Sequence, residues 1–234
     1  NYKNKKIKYI FQEKINKEFL ENNSLQEGLI FSGDERFVFK YDEALSNSEE
    51  SGVSKHKLAD SKFSSKNLIN TNIAINALQI LNESNFFYSS PVKQGVVVDY
   101  YSSQNKNLYA KYFLDLPKFD AILTAISATH NLSRDDRRFY YDIVNKKFIP
   151  IYYDGMVFIL DKNNRPIINN KRFDLSLINK NKSKKIIKSA QIGASSALES
   201  INQIKIDELN LLIKARGLNL SRKNLISIIE IIKN

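Results

Sequence analysis

Thr129-His-Asn-Leu-Ser-Arg-Asp-Asp-Arg-Arg-Phe-Tyr-Tyr-Asp142, continued by Ile-Val-Asn-Lys-Lys147 and Phe148-Ile-Pro-Ile-Tyr-Tyr-Asp-Gly155, is the stretch around which the chain is organised. It contains two short runs of aromatic and β-branched residues, 139–143 and 148–153, on either side of the polar turn 144–147. This pattern predicts a β-hairpin. A hairpin would bring the polar loop that precedes it close to Asp154, which follows it.

The acids at the two ends of this hairpin suit phosphoryl transfer. That chemistry needs one carboxylate to orient or deprotonate a hydroxyl, another to hold Mg²⁺, and cations on the phosphates. Asp135 or Asp136 is the candidate base, and Asp154 is the candidate metal ligand. We expect Gly155 to turn the backbone after Asp154 at positive φ.

Arginines are concentrated in the same loop. The chain has 28 lysines and only eight arginines, yet Arg134, Arg137 and Arg138 lie within five positions. A guanidinium binds phosphate through two parallel hydrogen bonds, which an ammonium group cannot do. The cluster therefore predicts a phosphate clamp, and the alternative is a charged loop with internal salt bridges before a surface hairpin.

The order of several motifs resembles the CotH kinase-like family, the spore-coat kinase group and its bacterial relatives. Phe139-Tyr-Tyr-Asp142 and Phe148-Ile-Pro-Ile-Tyr-Tyr-Asp154 are similar to a strand pair that ends in a metal-binding aspartate. Lys8-Tyr-Ile-Phe-Gln-Glu-Lys-Ile-Asn-Lys-Glu-Phe-Leu-Glu21 is similar to an upstream strand and helix. Gly28-Leu-Ile-Phe31 and Tyr112-Phe-Leu-Asp-Leu-Pro-Lys-Phe119 also match, so the resemblance runs from about Lys8 to Gly155.

This resemblance implies a protein-kinase-like α+β fold, with a partial N-lobe of strands and a mainly helical C-lobe. We expect one domain over 1–234, with 1–115 as the N-lobe-like part and 116–234 as the C-lobe-like part. Residues 42–66 are rich in Ser, Lys and Glu and predict a flexible loop within the first part. We expect further strands upstream of Asn1.

The function that follows is an ATP- and Mg²⁺-dependent kinase acting on a protein or another hydroxyl substrate. Asp136 is the preferred base and Asp135 the second choice, while Asp154 binds Mg²⁺. The nucleotide contacts assigned by the resemblance and by the arginine cluster are Lys14, Glu13, Arg137 and Arg138. Lys14 and Glu13 face opposite ways on a strand, so either Lys14 lines the cleft or Glu13 points in and Lys14 is solvated.

Arg138 departs from the family pattern. Many relatives carry an asparagine directly before the Phe-Tyr strand, as a second metal ligand, and Arg138 stands there instead. The alternative function is therefore a catalytically inactive relative that binds nucleotide or acts as a scaffold.

Composition excludes several other classes of protein. The 234 residues contain no cysteine, which rules out disulfides and cysteine-ligated zinc. No apolar run approaches the 18 residues of a membrane span, and neither cytoplasm nor export is favoured. The net charge of +11 is compatible with nucleic-acid binding, but lysines and aromatics do not interleave in a stripe. We expect no specific nucleic-acid partner.

The remaining elements follow from periodicity and capping signals. We expect helices over 16–21, 71–83, 183–201, 207–216 and 221–233, and one that begins after Asp115 and continues to His130. The buried stripe of 71–83 should be Ile73, Ala74, Ala77, Leu78 and Leu81, and that of 183–201 should be Ile186, Ile187, Ala190, Ala194, Ala197, Leu198 and Ile201. Gly217 should follow the helix 207–216, and Ser221 should cap the last one. Asn70 or Thr71 should cap the second of these helices, and Asp115 should cap its own. We expect strands over 5–15, 28–31, 36–41, 95–101 and 157–160. His56 is expected to be solvated in its loop, and His130 to be a structural hydrogen-bonding residue.

Overall fold

The structure is a computed structural model that describes residues 14–33, 56–86, 111–126, 128, 130–132, 136–155, 157 and 180–233. Its strands are β1 (Leu29–Gly33), β2 (His56–Leu58), β3 (Arg138–Asp142) and β4 (Lys147–Ile151). Its α-helices are α1 (Lys17–Asn22), α2 (Leu68–Phe86), α3 (Leu116–Ala125), α4 (Lys180–Asn202), α5 (Ile206–Ala215) and α6 (Arg222–Lys233). Short 3-10 helices cover Ser64–Lys66 and His130–Leu132. The described residues therefore form an α+β structure.

The four strands form one antiparallel sheet in the order β2-β1-β3-β4. The predicted hairpin is confirmed: β3 pairs with β4 from Arg138 opposite Ile151 to Asp142 opposite Lys147. The turn between them is held by the Asp142 carboxylate, which accepts bonds from the backbone N–H groups of Val144 and Asn145, each 3.0 Å long. The hairpin occupies one half of the sheet and determines where the residues at its ends lie.

One face of the sheet carries the main core. Phe31, Phe139 and Phe148 are completely buried there, with ring centroids 5.9 to 6.2 Å apart in edge-to-face arrangements. Such arrangements stabilise aromatic pairs beyond the area that they bury. Helix α2 covers this face with the stripe that the sequence predicts, formed by Ile73, Ala74, Ala77, Leu78 and Leu81.

The opposite face of the sheet has a smaller apolar cluster. Tyr140 and Ile151 point to this side, as does Ile30, and Leu20 of helix α1 packs on them. Asn16 begins α1, because its side-chain oxygen accepts a bond from the Phe19 N–H at 3.2 Å. Helix α1 is short, so we infer that it covers only part of this face.

Strand β2 corrects the prediction that all of 42–66 is a flexible loop. Residues 56–58 pair with β1, with His56 opposite Gly33. His56 is not solvated: it is 3% exposed, and its ring lies 5.8 Å from that of Phe139. Its backbone N–H donates to Asn82 Oδ1 of α2 at 2.9 Å. A strand of three residues gives too short a polar–apolar alternation to be recognised in the sequence.

Helix α2 begins three residues earlier than expected. Its cap is Asn67 rather than Asn70 or Thr71, because Asn67 has extended backbone and its side chain accepts the Asn70 N–H at 2.8 Å. The Thr71 hydroxyl instead donates to the carbonyl of Ser64 at 2.8 Å. This bond links the helix to the 3-10 turn before it.

Helix α3 starts after Asp115 as predicted, but Asp115 does not cap it. The residue has φ of 53°, in the left-handed region, and its side chain makes no capping bond. The helix ends at Ala125 and does not reach His130, which belongs to a separate 3-10 turn. The expected apolar face is present, with Leu116 and Leu123 fully buried.

Helix α4 packs against α3, and its predicted buried stripe is confirmed only in part. The predicted positions Ala197 and Ile201 are buried, and so is Gly193, which was not predicted, whereas the predicted positions Ala194 and Leu198 are exposed. Gly193 allows this contact, because a Cβ there would overlap the backbone of Pro117. Small residues of this kind let two helices approach closely.

The last two helices end and begin where the sequence indicates. Gly217 follows α5 with φ of 75°, and the Ser221 hydroxyl accepts the Asn224 N–H at 3.1 Å to cap α6.

None of the described helices is long and apolar enough to cross a membrane. The predicted strands 36–41 and 95–101 lie outside the described residues, as do most of 5–15 and 157–160. Residues 14 and 15 are described and belong to no strand.

Candidate functional site

Strand register places a row of side chains on the sheet face that α1 partly covers. Lys57 of β2 lies opposite Ser32 of β1, and Ser32 lies opposite Arg138 of β3, which in turn lies opposite Ile151. Residues opposite one another in an antiparallel pair point to the same face. The row therefore places one cation on each side of the Ser32 hydroxyl.

This row forms one wall of a pocket of about 370 Å³. That volume lies in the range of small-molecule sites. Its described lining consists of Lys14, Ile15, Ser32, Lys57, Leu58, Ala59, Arg138 and Tyr153. Three of these side chains are cationic and none is a carboxylate, so the described lining has a formal charge of plus three.

Arg138 is the best anchored of the three cations. Its guanidinium carbon lies 4.1 Å from the ring centroid of Tyr153, and Nη1–H donates to the carbonyl of Arg137 at 3.2 Å. A guanidinium stacked on an aromatic face is stabilised by the ring quadrupole. Arg138 is only 9% exposed. It therefore forms part of the pocket wall.

Lys14 enters the pocket from the segment that precedes α1. The residue itself is exposed, while its neighbour Ile15 packs against the cluster of Leu20 and Ile30. This packing anchors the backbone from which Lys14 extends. Glu13, the other expected nucleotide contact in this segment, lies outside the described residues.

Arg137 has a different position from Arg138, although the two are adjacent. Its guanidinium is 1% exposed and pairs with the carboxylate of Asp120 on α3 at 2.6 Å. Successive side chains on an extended strand point in opposite directions. The structure therefore places Arg137 in the core between the sheet and α3, which favours a structural role over the expected contact with phosphate.

Asp120 is a structurally important residue that the sequence reasoning missed. A signal was present: Leu116, Asp120 and Leu123 share the spacing of one helix face, and the two leucines are buried. An acid on such a face needs a cationic partner, because an isolated buried carboxylate is very costly. Arg137 supplies that partner.

Asp136, the preferred base, lies at the start of the hairpin and is 5% exposed. Its carbonyl accepts a bond from the Asn131 side-chain amide at 3.2 Å, which links it to the preceding 3-10 turn. It does not belong to the described lining of the pocket. Asp135 and Arg134 lie outside the described residues.

Asp154, the candidate metal ligand, directly follows Tyr153 of the pocket wall and is exposed. Its φ is 41°, in the left-handed region. The prediction that Gly155 supplies the positive φ is therefore wrong, because Asp154 adopts it. Gly155 is needed for space: a Cβ there would lie 2.6 Å from the Tyr152 ring and 2.9 Å from the Ala128 Cβ.

The surroundings of Tyr152 in this turn change its pKa. Burial raises the pKa of Tyr152, an effect that a hydrogen bond from the Gly155 N–H partly offsets. The nearby Asp154 carboxylate raises the same pKa further. The negative charge of Asp154 therefore acts on Tyr152, the residue next to Tyr153 of the pocket wall.

The hairpin brings the ends of the segment together, as expected. Arg138 and Ile151 are the last paired residues at this end of the hairpin. Asp136 precedes that pair by two residues, and Asp154 follows it by three. Both acids therefore lie beyond the same end of β3 and β4.

The described residues do not form a metal site by themselves. No three histidine, aspartate or glutamate side chains cluster in the described part of the chain. Mg²⁺ is commonly bound by one or two carboxylates together with the phosphates of a nucleotide. The single exposed carboxylate of Asp154 fits that arrangement, in which the ion arrives with the ligand.

Two side chains of the polar row in the pocket, Lys57 and Ser32, were not identified from the sequence. Lys57 lies in the segment predicted to be a loop, and Ser32 follows a short apolar run.

Comparison with known protein families, curated proteins and solved structures finds no match to this chain.

Proposed function

We propose that this chain is an ATP- and Mg²⁺-dependent kinase-like protein whose pocket binds the phosphates of ATP. The observation that carries the proposal is the convergence of Lys14 and Arg138, far apart in the sequence, on one pocket with Lys57. Both Lys14 and Arg138 are phosphate contacts expected from the sequence. The protein-kinase-like fold, with its two lobes, belongs to the same proposal.

The chemistry of the pocket suits a phosphate group. Hydrogen bonds from ammonium and guanidinium groups to phosphate are charge-assisted and about twice as strong as neutral ones. Arg138 is held in place by Tyr153 and by a backbone carbonyl, so little of its conformational freedom is lost on binding. Ser32 adds a hydroxyl between Lys57 and Arg138.

Asp154 and Asp136 perform the reaction in this proposal. Asp154 would hold the Mg²⁺ that arrives on the nucleotide, and this ion supplies charge neutralisation at the transferred phosphoryl group. Asp136, with Asp135 as the second choice, accepts the proton of the substrate hydroxyl at the same end of the hairpin.

A second candidate function is nucleotide binding without catalysis. Arg138 favours it, because the resemblance places a metal-ligating asparagine at this position and the structure has a cation stacked on Tyr153. The two candidates share the pocket and differ in the transfer step.

The test is a calorimetric titration with Mg²⁺-ATP, together with an assay for phosphoryl transfer to a mixture of protein substrates. We expect micromolar binding that Arg138→Met weakens about tenfold, as for the loss of a charge-assisted hydrogen bond. Lys223→Met, an exposed charge change on α6, is the matched control and should bind like the wild type. Binding without transfer selects the second candidate. Absence of binding in the wild type rejects both.

A further inference from the structure

We infer that the pocket recognises the phosphate chain of its ligand directly, through side-chain cations and without a metal ion. This inference rests on the proposed function and specifies which part of ATP is bound and how. Mg²⁺ is then needed for phosphoryl transfer at Asp154 and not for binding.

The arrangement of the cations carries the inference. Lys57 and Arg138 lie on strands to either side of Ser32, in one lateral row. Neighbouring strands are about 4.8 Å apart, so the row spans roughly 10 Å. Lys14 approaches the same pocket from the segment before α1. Three cations from three separate segments thus face one volume, on the length scale of a chain of two or three phosphates.

Charge balance explains why a metal ion is unnecessary for binding. A triphosphate chain carries several negative charges, which Mg²⁺ reduces in most nucleotide sites. Here the described lining supplies a formal charge of plus three from its own side chains. The cations of the pocket therefore neutralise the phosphate chain in place of the ion.

Tyr153 acts as a positioning residue in this arrangement. Its ring lies against the Arg138 guanidinium and fixes the direction of that group. Its immediate neighbour Asp154 is exposed. Tyr153 thus contacts the binding group of Arg138 through its ring and adjoins the proposed metal ligand Asp154 in the chain.

The decisive experiment is a calorimetric titration of the whole chain with sodium tripolyphosphate and with ATP, each in EDTA and each in excess Mg²⁺. We expect both ligands to bind in EDTA, adenosine not to bind, and binding to weaken as the salt concentration rises, because added ions screen charged groups. Lys57→Met and Lys14→Met should each weaken tripolyphosphate binding about tenfold in EDTA. Lys14 lies outside the strands, so its variant avoids any folding defect of the Lys57 variant.

Lys223→Met serves as the control, since it removes the same charge far from the pocket in sequence and should leave affinity unchanged. Binding of both ligands only in Mg²⁺ overturns the inference and leaves the proposed function standing. Equal affinity of wild type and both pocket variants in EDTA also overturns it. Failure of ATP to bind under either condition overturns the proposed function as well.

Discussion

The carboxylate of Asp120 and the guanidinium of Arg137 form an ion pair 2.6 Å long in which both side chains are almost completely buried. The pair joins helix α3 to the residue that precedes β3. It therefore fixes the position of the hairpin relative to the helix, and with it the neighbouring Arg138 in the pocket.

Asp120→Ala should destabilise the protein by about 3–5 kcal/mol, because it leaves a buried guanidinium without its carboxylate. Urea unfolding followed by circular dichroism measures the loss. The double variant Asp120→Leu/Arg137→Met should recover most of the stability, because a well-packed apolar pair can replace a buried ion pair. A change of less than about 0.5 kcal/mol in the single variant, the range of ordinary surface substitutions, would show that the pair is not structural.

Asp154→Asn should abolish Mg²⁺-dependent phosphoryl transfer while the melting temperature and the affinity for ATP in EDTA stay unchanged. The amide keeps the size of the side chain and tolerates positive φ, but it binds a hard divalent cation poorly. The assays are phosphoryl transfer, calorimetry and thermal melting on both proteins. Transfer by the variant at the wild-type rate would exclude Asp154 as the metal ligand.

Gly193→Ala should lower stability by about 1–3 kcal/mol, as is usual for overpacking. Alanine is the better helix former by about 1 kcal/mol, but its Cβ would overlap the backbone of Pro117 and force α3 and α4 apart. Ser195→Ala, at an exposed position of the same helix, is the control and should not destabilise. Greater stability of the Gly193 variant would show that the two helices do not approach as closely as described.

The turn that Asp142 holds should make the free energy of unfolding depend on pH in the acid range. Bonds from the backbone and side chain of Asn145, and then from the Val144 N–H, hold the pKa of Asp142 below its ordinary value, against a smaller opposing effect of burial. Because the folded pKa is depressed, the stabilisation is fully present above the unfolded value of about 3.9 and is lost as pH falls through the folded pKa.

Asp142→Ala should therefore cost about 1 kcal/mol at pH 7, a typical net contribution for such bonds, and progressively less below pH 4. Urea unfolding of wild type and variant across pH 2–7 gives the difference. Asn145→Ala removes only the side-chain bond and should cost less. A constant difference between wild type and Asp142→Ala at all pH values would contradict this origin.

Local pattern was enough to predict much of the fold. The hairpin follows from two runs of aromatic and β-branched residues around a polar turn, and the buried stripe of α2 follows from helical spacing. Gly217 and Ser221 mark helix boundaries through backbone and capping chemistry that involves only near neighbours in the chain. These features depend on a few consecutive residues, so they are visible without knowing the partner elements.

The functional site was only partly visible in this way. Lys14 and Arg138 were expected to contact phosphate, and both line the pocket. Lys57 could not be assigned, because its contribution depends on pairing of β2 with β1 across a long stretch of sequence. The buried face of α4 was predicted only in part: Ala197 and Ile201 are buried as expected, but Gly193 was missed, since helical spacing does not show where a glycine meets a close-packed backbone.

The sequence alone determined that the chain forms an α+β structure with a hairpin whose ends bring acids and arginines together. Only the tertiary structure separated Arg137, buried against Asp120, from Arg138, placed in the pocket with Tyr153. The physical reason is that adjacent strand residues have opposite orientations. Their environments are decided by the helix on one face and by the row of Lys57 and Ser32 on the other, and those partners come from distant parts of the chain.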